Sequence, residues 1–298
     1  MRILMCPGQG SQSEGFLVDW FEQVPGFRAK IEELGLEAGI DLVRLGTTAT
    51  EDEIKATENA QPLIVAASIA AARTAIELGQ IDGVVGHSVG EFAAAAIAGV
   101  ISDDEAMRLV SVRANAMAEA TKLEVTSMAA VLGGDENAVL ESLYGLGLSA
   151  ANYNGAGQIV AAGSKTAIAD LVANPPEKAR VIELKVAGAF HTKYMAPAVE
   201  DLAQAASGVS TQDPTLKLWS NVDGAEVTSG DQFLASLVTQ VSNPVRWDLC
   251  MSRMDSHSPV VIELPPAGAL AGLAKRGMPN STAIALKTSA DLEKIGAL

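Results

Sequence analysis

The hexapeptide Gly86–Glu91, with the sequence Gly-His-Ser-Val-Gly-Glu, constrains the fold more than any other segment of the chain. A short apolar run, Val84-Val85, precedes it, and small apolar residues follow it from Phe92 to Ala98. This order predicts a strand, a sharp turn and a helix, with Ser88 at the apex. Glycines on both sides suit such a turn because it leaves no room for flanking side chains. The hexapeptide therefore indicates an α/β fold with a serine exposed at the end of a sheet.

Two interpretations of Ser88 follow from this turn. A serine at the end of a strand, followed by an amide at a helix N-terminus, is typical of a nucleophile beside a donor that stabilises an oxyanion. The same serine could instead only cap the helix. A Gly-x-Ser-x-Gly pattern alone does not decide, since a chain with 27 glycines contains chance matches. The strand before it and the helix after it favour the nucleophile.

A second candidate lies on the helix predicted from Ser102 to about Ala120, which a capping box opens. Helical spacing from Leu109 and Met117 places Arg113 on or beside the apolar stripe. An arginine turned inward needs an anion, and a guanidinium suits bidentate binding of a carboxylate. The pattern therefore predicts either a site for an anionic ligand or an arginine paired with a structural Asp or Glu.

The base for Ser88 must come from three histidines, the side chains that titrate near neutral pH. His257 lies in a polar loop and is expected to be solvated. His87 precedes the serine on the turn, so its side chain should point away and pack or bond locally. His191 follows an apolar strand and a Gly-bearing loop, which places it at a strand exit. By elimination His191 is the predicted base, and a backbone carbonyl is expected to orient its ring.

The order of elements changes after about residue 125. From residue 127 to residue 186 the pattern predicts strand, helix, strand, strand, helix, strand, which is the ferredoxin-like order. We therefore predict a small domain, residues 125–190, inserted into a large catalytic domain of residues 1–124 and 191–298 with a parallel-sheet core. The predicted small-domain elements are Met128–Leu132, Asp135–Leu146, Ser149–Asn154, Gln158–Ala162, Lys165–Ala173 and Arg180–Val186.

The charge balance restricts the partners of the chain. Lysine and arginine number 21 against 36 aspartates and glutamates, a formal net charge of −15. Such a balance argues against nucleic acid or an anionic membrane surface as the main partner. The spacing of Cys6 and Cys250 suits neither a disulfide framework nor a metal site. With no membrane span or secretory signal in the sequence, we expect a cytoplasmic, monomeric protein.

Six features stand in order along the chain: Pro7–Gln12, Gln61-Pro62, Gly86–Glu91, Arg113, Gly188–Thr192 and Asn243–Trp247. Together they resemble the malonyl-CoA:acyl carrier protein transacylases of type II fatty-acid synthesis. The resemblance extends from the first strand to about Lys287. Segments such as Arg246–Cys250 and Leu273–Arg276 look most like actinobacterial members of that family.

The resemblance implies a transferase with a covalent intermediate and no cofactor. Ser88 would become malonyl-serine, and His191 would act as general base and then as acid. The amides of Gln9 and Val89 would form the oxyanion hole, and Arg113 would hold the free carboxylate of the malonyl group. Malonyl-CoA would be the donor and the phosphopantetheine thiol of a transiently bound holo acyl carrier protein the acceptor.

The resemblance also implies an α/β-hydrolase-like large domain and further residues around the pocket. Gln61, Phe190 and His87 are assigned to substrate binding, and the Phe190 ring would crowd an α-methyl group. The carbonyl partner of His191 would come from the loop between Asn243 and Arg246.

Acyl carrier proteins are acidic, as this chain is, so docking requires a local basic patch. We assign that patch to Lys275 and Arg276 with Lys185 or Lys193. Three alternatives to the fatty-acid function remain: a serine esterase or thioesterase, a transacylase of a polyketide or malonate pathway, and a catalytically silent carrier-binding module. The inward position of Arg113 argues against the esterase.

Overall fold

The computed structural model describes residues 1–297 of the 298-residue chain. Two sheets and the helices packed around them form the fold. The strands are β1 Arg2–Cys6, β2 Gly83–Gly86, β3 Thr126–Gly133, β4 Ser149–Gly155, β5 Gln158–Ser164, β6 Ala179–Glu183, β7 Lys217–Trp219, β8 Val260–Glu263 and β9 Thr282–Ala285.

The α-helices vary in length from a single turn to the 22 residues of the longest. They are α1 Val18–Gln23, α2 Phe27–Ala38, α3 Leu42–Thr47, α4 Glu51–Lys55, α5 Thr57–Leu78, α6 Gly90–Ile97, α7 Asp103–Ala120, α8 Glu136–Gly145, α9 Lys165–Ala173, α10 Pro197–Ala206, α11 Gly230–Thr239, α12 Trp247–Asp255, α13 Ala269–Gly277 and α14 Glu293–Gly296. Over residues 1–297, none of the helices combines the length and the apolar character that crossing a membrane requires.

The larger sheet is parallel, as predicted, with the strand order β7-β2-β1-β8-β9. Its strands are continuous apolar runs because both faces are covered. On one face, Leu4 joins the core formed with α5, α6 and α7. On the other face, Ile3 and Met5 join a core formed with α12 and α13. The carboxyl ends of β1 and β2 therefore meet at one edge, where ligands bind in open parallel sheets.

The smaller sheet is antiparallel and has the strand order β4-β5-β3-β6. Its elements follow the predicted order of strand, helix, strand, strand, helix, strand. Helices α8 and α9 supply Val139, Leu143, Ile168 and Leu171 to a separate apolar core on one face of the sheet. The last strand ends at Glu183, three residues before the predicted end.

Val245 joins the smaller sheet to the segment before α12, a helix that packs on the parallel sheet. Its amide donates to the carbonyl oxygen of Ala151 (2.9 Å), and its carbonyl oxygen accepts from the amide of Tyr153 (2.9 Å). Val245 and Asn152 thus form an isolated parallel bridge beside the start of α12. This bridge holds β4 next to the carboxyl edge of the parallel sheet, and a cleft lies between them.

Candidate active site

The turn between β2 and α6 places Ser88 at the edge of the parallel sheet. Ser88 has a φ of 53°, in the left-handed region that non-glycine residues rarely adopt. A Cβ on Gly86 would lie 2.1 Å from the carbonyl carbon of Gly90, and one on Gly90 would lie 2.2 Å from the carbonyl oxygen of Cys6. Both positions therefore require glycine, as the hexapeptide indicated.

Ser88 and His191 form a hydrogen-bonded pair. Ser88 Oγ lies 2.6 Å from His191 Nε2, and His191 Nδ1 lies 3.0 Å from the carbonyl oxygen of Gln240. Since that carbonyl only accepts, Nδ1 carries the proton and Nε2 is free to accept from the serine hydroxyl. The geometry is that of a nucleophile and its general base, with a carbonyl in the place of a carboxylate.

His191 is held in its neutral form. Burial and then the nearby Arg113 charge lower the pKa of His191 to about 3, against the hydrogen bond that Nδ1 donates to the carbonyl oxygen of Gln240. His191 is 4% exposed, so water does not solvate an imidazolium there. The ring can therefore accept a proton from Ser88 at neutral pH.

The predicted source of the carbonyl needs a correction. The acceptor of His191 Nδ1 is Gln240, which precedes the predicted loop of Asn243 to Arg246 by three residues and lies in a 3₁₀ turn, Gln240–Ser242. A backbone hydrogen bond with Asn243, which does lie in the predicted loop, also raises the pKa of His191. The Arg246 side chain instead pairs with Asp248 (2.7 Å). The turn was missed because nothing in its sequence marks a carbonyl that faces a histidine.

Gln9 and Val89, whose amides were predicted to form the oxyanion hole, both line the cleft. Within residues 1–297 neither amide donates a hydrogen bond to another group. The loop that carries Gln9 is fixed from both sides: the Gly10 amide donates to Gln12 Oε1 (2.8 Å), and Gln12 Nε2 donates to the carbonyl oxygen of Ile54 (3.1 Å). Two unengaged donors on rigid backbone are what an oxyanion requires.

Arg113 on α7 is buried beside the dyad, with 1% of its surface exposed. Its guanidinium donates to Gln61 Oε1 (2.6 Å) and to Gln240 Oε1 (3.2 Å) and lies 5.7 Å from the centre of the Phe92 ring. Burial lowers the pKa of Arg113 to about 10, and the charge of Glu91 acts in the opposite direction. Both hydrogen-bond partners are neutral amides, so within residues 1–297 the structural ion pair considered above is not formed.

Three residues that sequence reasoning missed support the turn. Asn221 accepts from the Ser88 amide (2.8 Å) and donates to the carbonyl oxygen of Gly86 (2.8 Å). Gln240 Nε2 donates to the carbonyl oxygen of Ser88 (3.1 Å) and to Glu91. Of the three, only Glu91 carries a signal in the sequence, as an acidic residue at the start of an all-apolar helix.

The Glu91 carboxylate has both oxygens engaged. One accepts from the amide of Asn221 (2.7 Å) and the other from Gln240 Nε2. Burial raises the pKa of Glu91 to about 8, whereas these two hydrogen bonds and the charge of Arg113 lower it. Because both oxygens accept, these hydrogen bonds favour the ionised carboxylate against the effect of burial.

The remaining predicted residues line the same cleft. His87 Nε2 lies 2.9 Å from Asn154 Oδ1 of β4, and its ring meets Trp247 edge-on with centroids 5.4 Å apart. This hydrogen bond reaches a residue 67 positions away, so the local bonding expected for His87 is not what the structure shows; burial lowers the pKa of His87. Phe190, 7% exposed, and Gln61 stand beside the dyad.

The cleft has a volume of about 630 Å³. The dyad and the loop that carries Gln9 form its floor, and the small sheet and α13 form its walls. The wall residues include Met128, Asn152, Val160, Leu184, Val186, Gly268, Leu270 and Leu273. In the described part of the chain, no group of three or more His, Cys, Asp or Glu side chains could hold a metal ion.

Comparison with known proteins gives concordant results. A family model described as the acyl transferase domain matches residues 3–292. The malonyl CoA-acyl carrier protein transacylase of Mycobacterium bovis is 50% identical over 303 residues, which cover 100% of both chains. The crystal structure of MCAT from Mycobacterium tuberculosis has 50% identity and a TM-score of 0.95, covering 99% of each chain. A malonyl-transacylase solved in complex with its type II PKS acyl-carrier protein has 30% identity and a TM-score of 0.93, also over 99% of each chain.

Proposed function

Because the chain belongs to the acyl transferase family and, within it, to the malonyl-CoA–acyl carrier protein transacylases, we propose that Ser88 and His191 carry out the transfer. The observation that carries this proposal is a hydrogen-bonded dyad beside a buried arginine whose hydrogen-bond partners, in the described part of the chain, are neutral amides and not a carboxylate. The dyad supplies a nucleophile, and Arg113 supplies the counter-charge for an acyl group that ends in a carboxylate.

In the first half-reaction, malonyl-CoA occupies the cleft with its thioester carbonyl next to Ser88. His191 Nε2 takes the hydroxyl proton as Ser88 Oγ attacks the carbonyl carbon, and the amides of Gln9 and Val89 stabilise the oxyanion. The carbon–sulfur bond then breaks, and the imidazolium of His191 gives its proton to the departing CoA thiolate. Malonyl-serine remains.

In the second half-reaction, the phosphopantetheine thiol of holo acyl carrier protein takes the place of CoA. Neutral His191 accepts the thiol proton as the sulfur attacks the malonyl ester, and the same two amides stabilise the second oxyanion. Collapse of this intermediate breaks the bond to Ser88 Oγ, and His191 returns the proton to the serine. The transfer is a ping-pong reaction with one covalent intermediate.

Substrate choice is assigned to Arg113, Gln61, His87 and Phe190. The guanidinium of Arg113 would exchange its contacts with neutral amides for a bidentate pair with the malonyl carboxylate, which is the stronger interaction. Gln61 and His87 would border the acyl group, and Phe190 would exclude an α-methyl substituent. A single methyl group is worth about 1–3 kcal/mol in such a pocket, so this exclusion is finite.

The proposal also covers the domains, location, oligomeric state and partners of the protein. The larger sheet and its helices form an α/β-hydrolase-like catalytic domain of residues 1–124 and 191–298, and residues 125–190 form a ferredoxin-like domain. The protein works as a cytoplasmic monomer in fatty-acid synthesis and needs no cofactor beyond the group carried by its partner. The large excess of negative charge supports exclusion of nucleic acid and anionic membranes from its partners.

Intact-protein mass spectrometry tests the assignment. The protein is mixed with malonyl-CoA or with acetyl-CoA, and the mass of the acyl-enzyme is followed in the wild type and in Ser88→Ala and Arg113→Ala. We expect a malonyl adduct on the wild type, no adduct on Ser88→Ala, and strong loss of the malonyl adduct on Arg113→Ala. A remaining slow acetyl adduct on Arg113→Ala would show that this variant is folded.

Arg108→Ala is the matched control, because Arg108 lies on the same helix with its side chain 57% exposed. It should accept malonyl groups as the wild type does. Equal loss of malonyl and acetyl adducts in Arg113→Ala, or a malonyl adduct on Ser88→Ala, would contradict the assignment. Free CoA and malonate without an adduct would instead identify a thioester hydrolase.

A further inference from the structure

Glu91 is a buried carboxylate that the transfer reaction described above does not use. Within residues 1–297 it shares this degree of burial with one other carboxylate, Glu263. Glu263 accepts from the backbone amides of Gly268, Leu270 and Ala271 and so holds the start of α13. Glu91 differs, since one of its two partners is a side chain, the amide of Gln240.

The amide of Gln240 has a fixed direction because of this contact. Its Nε2 donates to Glu91 and to the carbonyl oxygen of Ser88, two groups that can only accept. Its Oε1 is thereby turned to Arg113, from which it accepts a hydrogen bond of 3.2 Å. A carboxylate at position 91 thus determines which end of the Gln240 amide faces the guanidinium.

We propose that Glu91 is a positioning residue that keeps the Gln240 oxygen facing Arg113 and thereby makes the site selective for acyl groups that carry a carboxylate. This inference rests on the proposed role of Arg113 in holding the malonyl carboxylate. Glu91 itself touches neither the acyl group nor the reacting atoms, because Gln240 and Asn221 occupy its two oxygens.

The effect of an isosteric change follows from the donors around position 91. In Glu91→Gln the new amide has one oxygen for two donors, the backbone amide of Asn221 and Nε2 of Gln240. The backbone amide cannot turn, so the new NH₂ group faces Gln240, and the Gln240 amide must rotate to offer its oxygen. Its NH₂ group then faces Arg113, donor against donor, and the carbonyl oxygen of Ser88 loses its donor.

Rotation of the Gln240 side-chain amide does not change the orientation of Ser88 and His191. His191 is oriented by the backbone carbonyl of Gln240, which does not move when the side-chain amide turns. The Glu91 charge also raises the pKa of Arg113, so its removal makes the buried cation less favourable. Both changes affect Arg113, which is proposed to hold the malonyl carboxylate, and leave the Ser88 hydroxyl unaffected.

The experiment compares malonyl-CoA with acetyl-CoA in Glu91→Gln and in the wild type, measuring kcat and KM for each donor with holo acyl carrier protein as the acceptor. The rate at which phenylmethylsulfonyl fluoride inactivates Ser88 measures the dyad alone. We expect kcat/KM for malonyl-CoA to fall by roughly 10- to 100-fold, the effect of one hydrogen bond to a charged group. The acetyl-CoA and sulfonylation rates should stay within about threefold, so the preference for malonyl-CoA falls.

Glu91→Asp provides a second variant that keeps the carboxylate on a shorter stem and should lose less of the preference. Glu263→Gln is the matched buried control, because it changes a carboxylate bound only to backbone amides and should alter both donors alike. An unchanged malonyl preference in Glu91→Gln, or an equal fall with both donors, would overturn the inference. A wild type that shows no malonyl preference would instead refute the proposed role of Arg113.

Discussion

Ser88 and His191 share an uncommon backbone conformation. Their φ angles are 53° and 60°, and for residues with a Cβ this region costs about 1–2 kcal/mol each. Neighbouring hydrogen bonds hold both residues in place. Asn221 binds the Ser88 amide, and Thr192 Oγ1 donates to the carbonyl oxygen of Ala189 (2.7 Å) beside His191. The pair is thus aligned by the fold, which lowers the reorganisation needed for proton transfer.

The low pKa of His191 predicts the pH dependence of Ser88 reactivity. His191 acts as a base only when neutral, and burial followed by the Arg113 charge lowers its pKa to about 3. As pH falls, the reaction should therefore be lost well below 6.5, the usual pKa of histidine. The measurement is the rate of inactivation by phenylmethylsulfonyl fluoride between pH 2 and pH 8, a range that includes the expected midpoint near 3. This neutral reagent carries no carboxylate that titrates.

A midpoint near 6.5 would contradict this account of the imidazole. The chain offers an internal control in His257, which is exposed in the loop between α12 and β8. His257→Gln should leave the profile of Ser88 inactivation unchanged. A shift of the midpoint in that variant would mean that the profile reports a change in the whole protein and not the dyad.

Single site residues could be predicted from the sequence where the residue type and its local position together indicate a role. Ser88 was indicated by its turn, His191 by elimination and Arg113 by its place on an apolar stripe, and the structure brings all three together. Gln240 could not be predicted, since its carbonyl is 49 residues from His191 and its type carries no signal. Asn221 joins the turn across 133 residues in the same way.

The strand–turn–helix element is held together by close backbone contacts. Gly90 begins α6 directly against the end of β1, and a Cβ there would lie 2.2 Å from the carbonyl oxygen of Cys6 and 2.8 Å from that of Pro7. Neither atom belongs to a side chain that can move aside. The element therefore tolerates no side chain at this position without a shift of the central strand.

Gly90→Ala should destabilise the protein by about 3 kcal/mol or more, because overpacking against backbone cannot be relieved by a rotamer change. Urea unfolding measures this as a lower midpoint. Gly145→Ala is the matched control. Gly145 ends α8, and a Cβ there would meet nothing within 4 Å. It should be neutral or stabilising by roughly 0.5–1 kcal/mol, as alanine is favoured over glycine in helices. Similar midpoints for the two variants would refute the close contact at Gly90.

Features that depend on residues close in the sequence, such as helix caps, were predicted more accurately than the order of the strands in the parallel sheet. The capping box predicted to open α7 is present at Ser102 with Glu105, and α4 opens with another at Thr50 with Glu53. Each depends only on residues three apart. The order of the parallel sheet depends instead on pairing between distant segments, since β1 lies between β2 and β8. Apolar strands of equal character carry no information about which neighbour each one takes.

Over the whole molecule, the cleft lies where the two sheets meet, beside a core to which the small sheet contributes Met128 and Val160 and the parallel sheet contributes Leu4 and Val84. The bridge at Val245 and the hydrogen bond from His87 to Asn154 join the small sheet to the edge that carries Ser88. The predicted order of elements indicated the small sheet, but its placement over the dyad depends on these long-range contacts.

Several basic side chains line the cleft of this acidic protein. The chain carries a net charge of −15, yet Lys55, Lys185 and Arg276 all line the cleft. Lys193, considered above for docking, borders a different pocket with Leu123 and Tyr194. Since the net charge of the protein repels an acidic carrier protein, we expect docking to depend on these cations at the cleft.

Arg276→Glu should raise the KM for holo acyl carrier protein by roughly three- to tenfold at low salt, with malonyl-CoA saturating and kcat nearly unchanged. Lys165→Glu is the matched control, because Lys165 is exposed at the start of α9 and does not line the cleft. Added salt should shrink the Arg276→Glu effect, as the Debye length falls to about 3 Å at 1 M. An equal rise in both variants would mean that net charge alone governs docking, and no rise in either would place the docking surface away from the cleft.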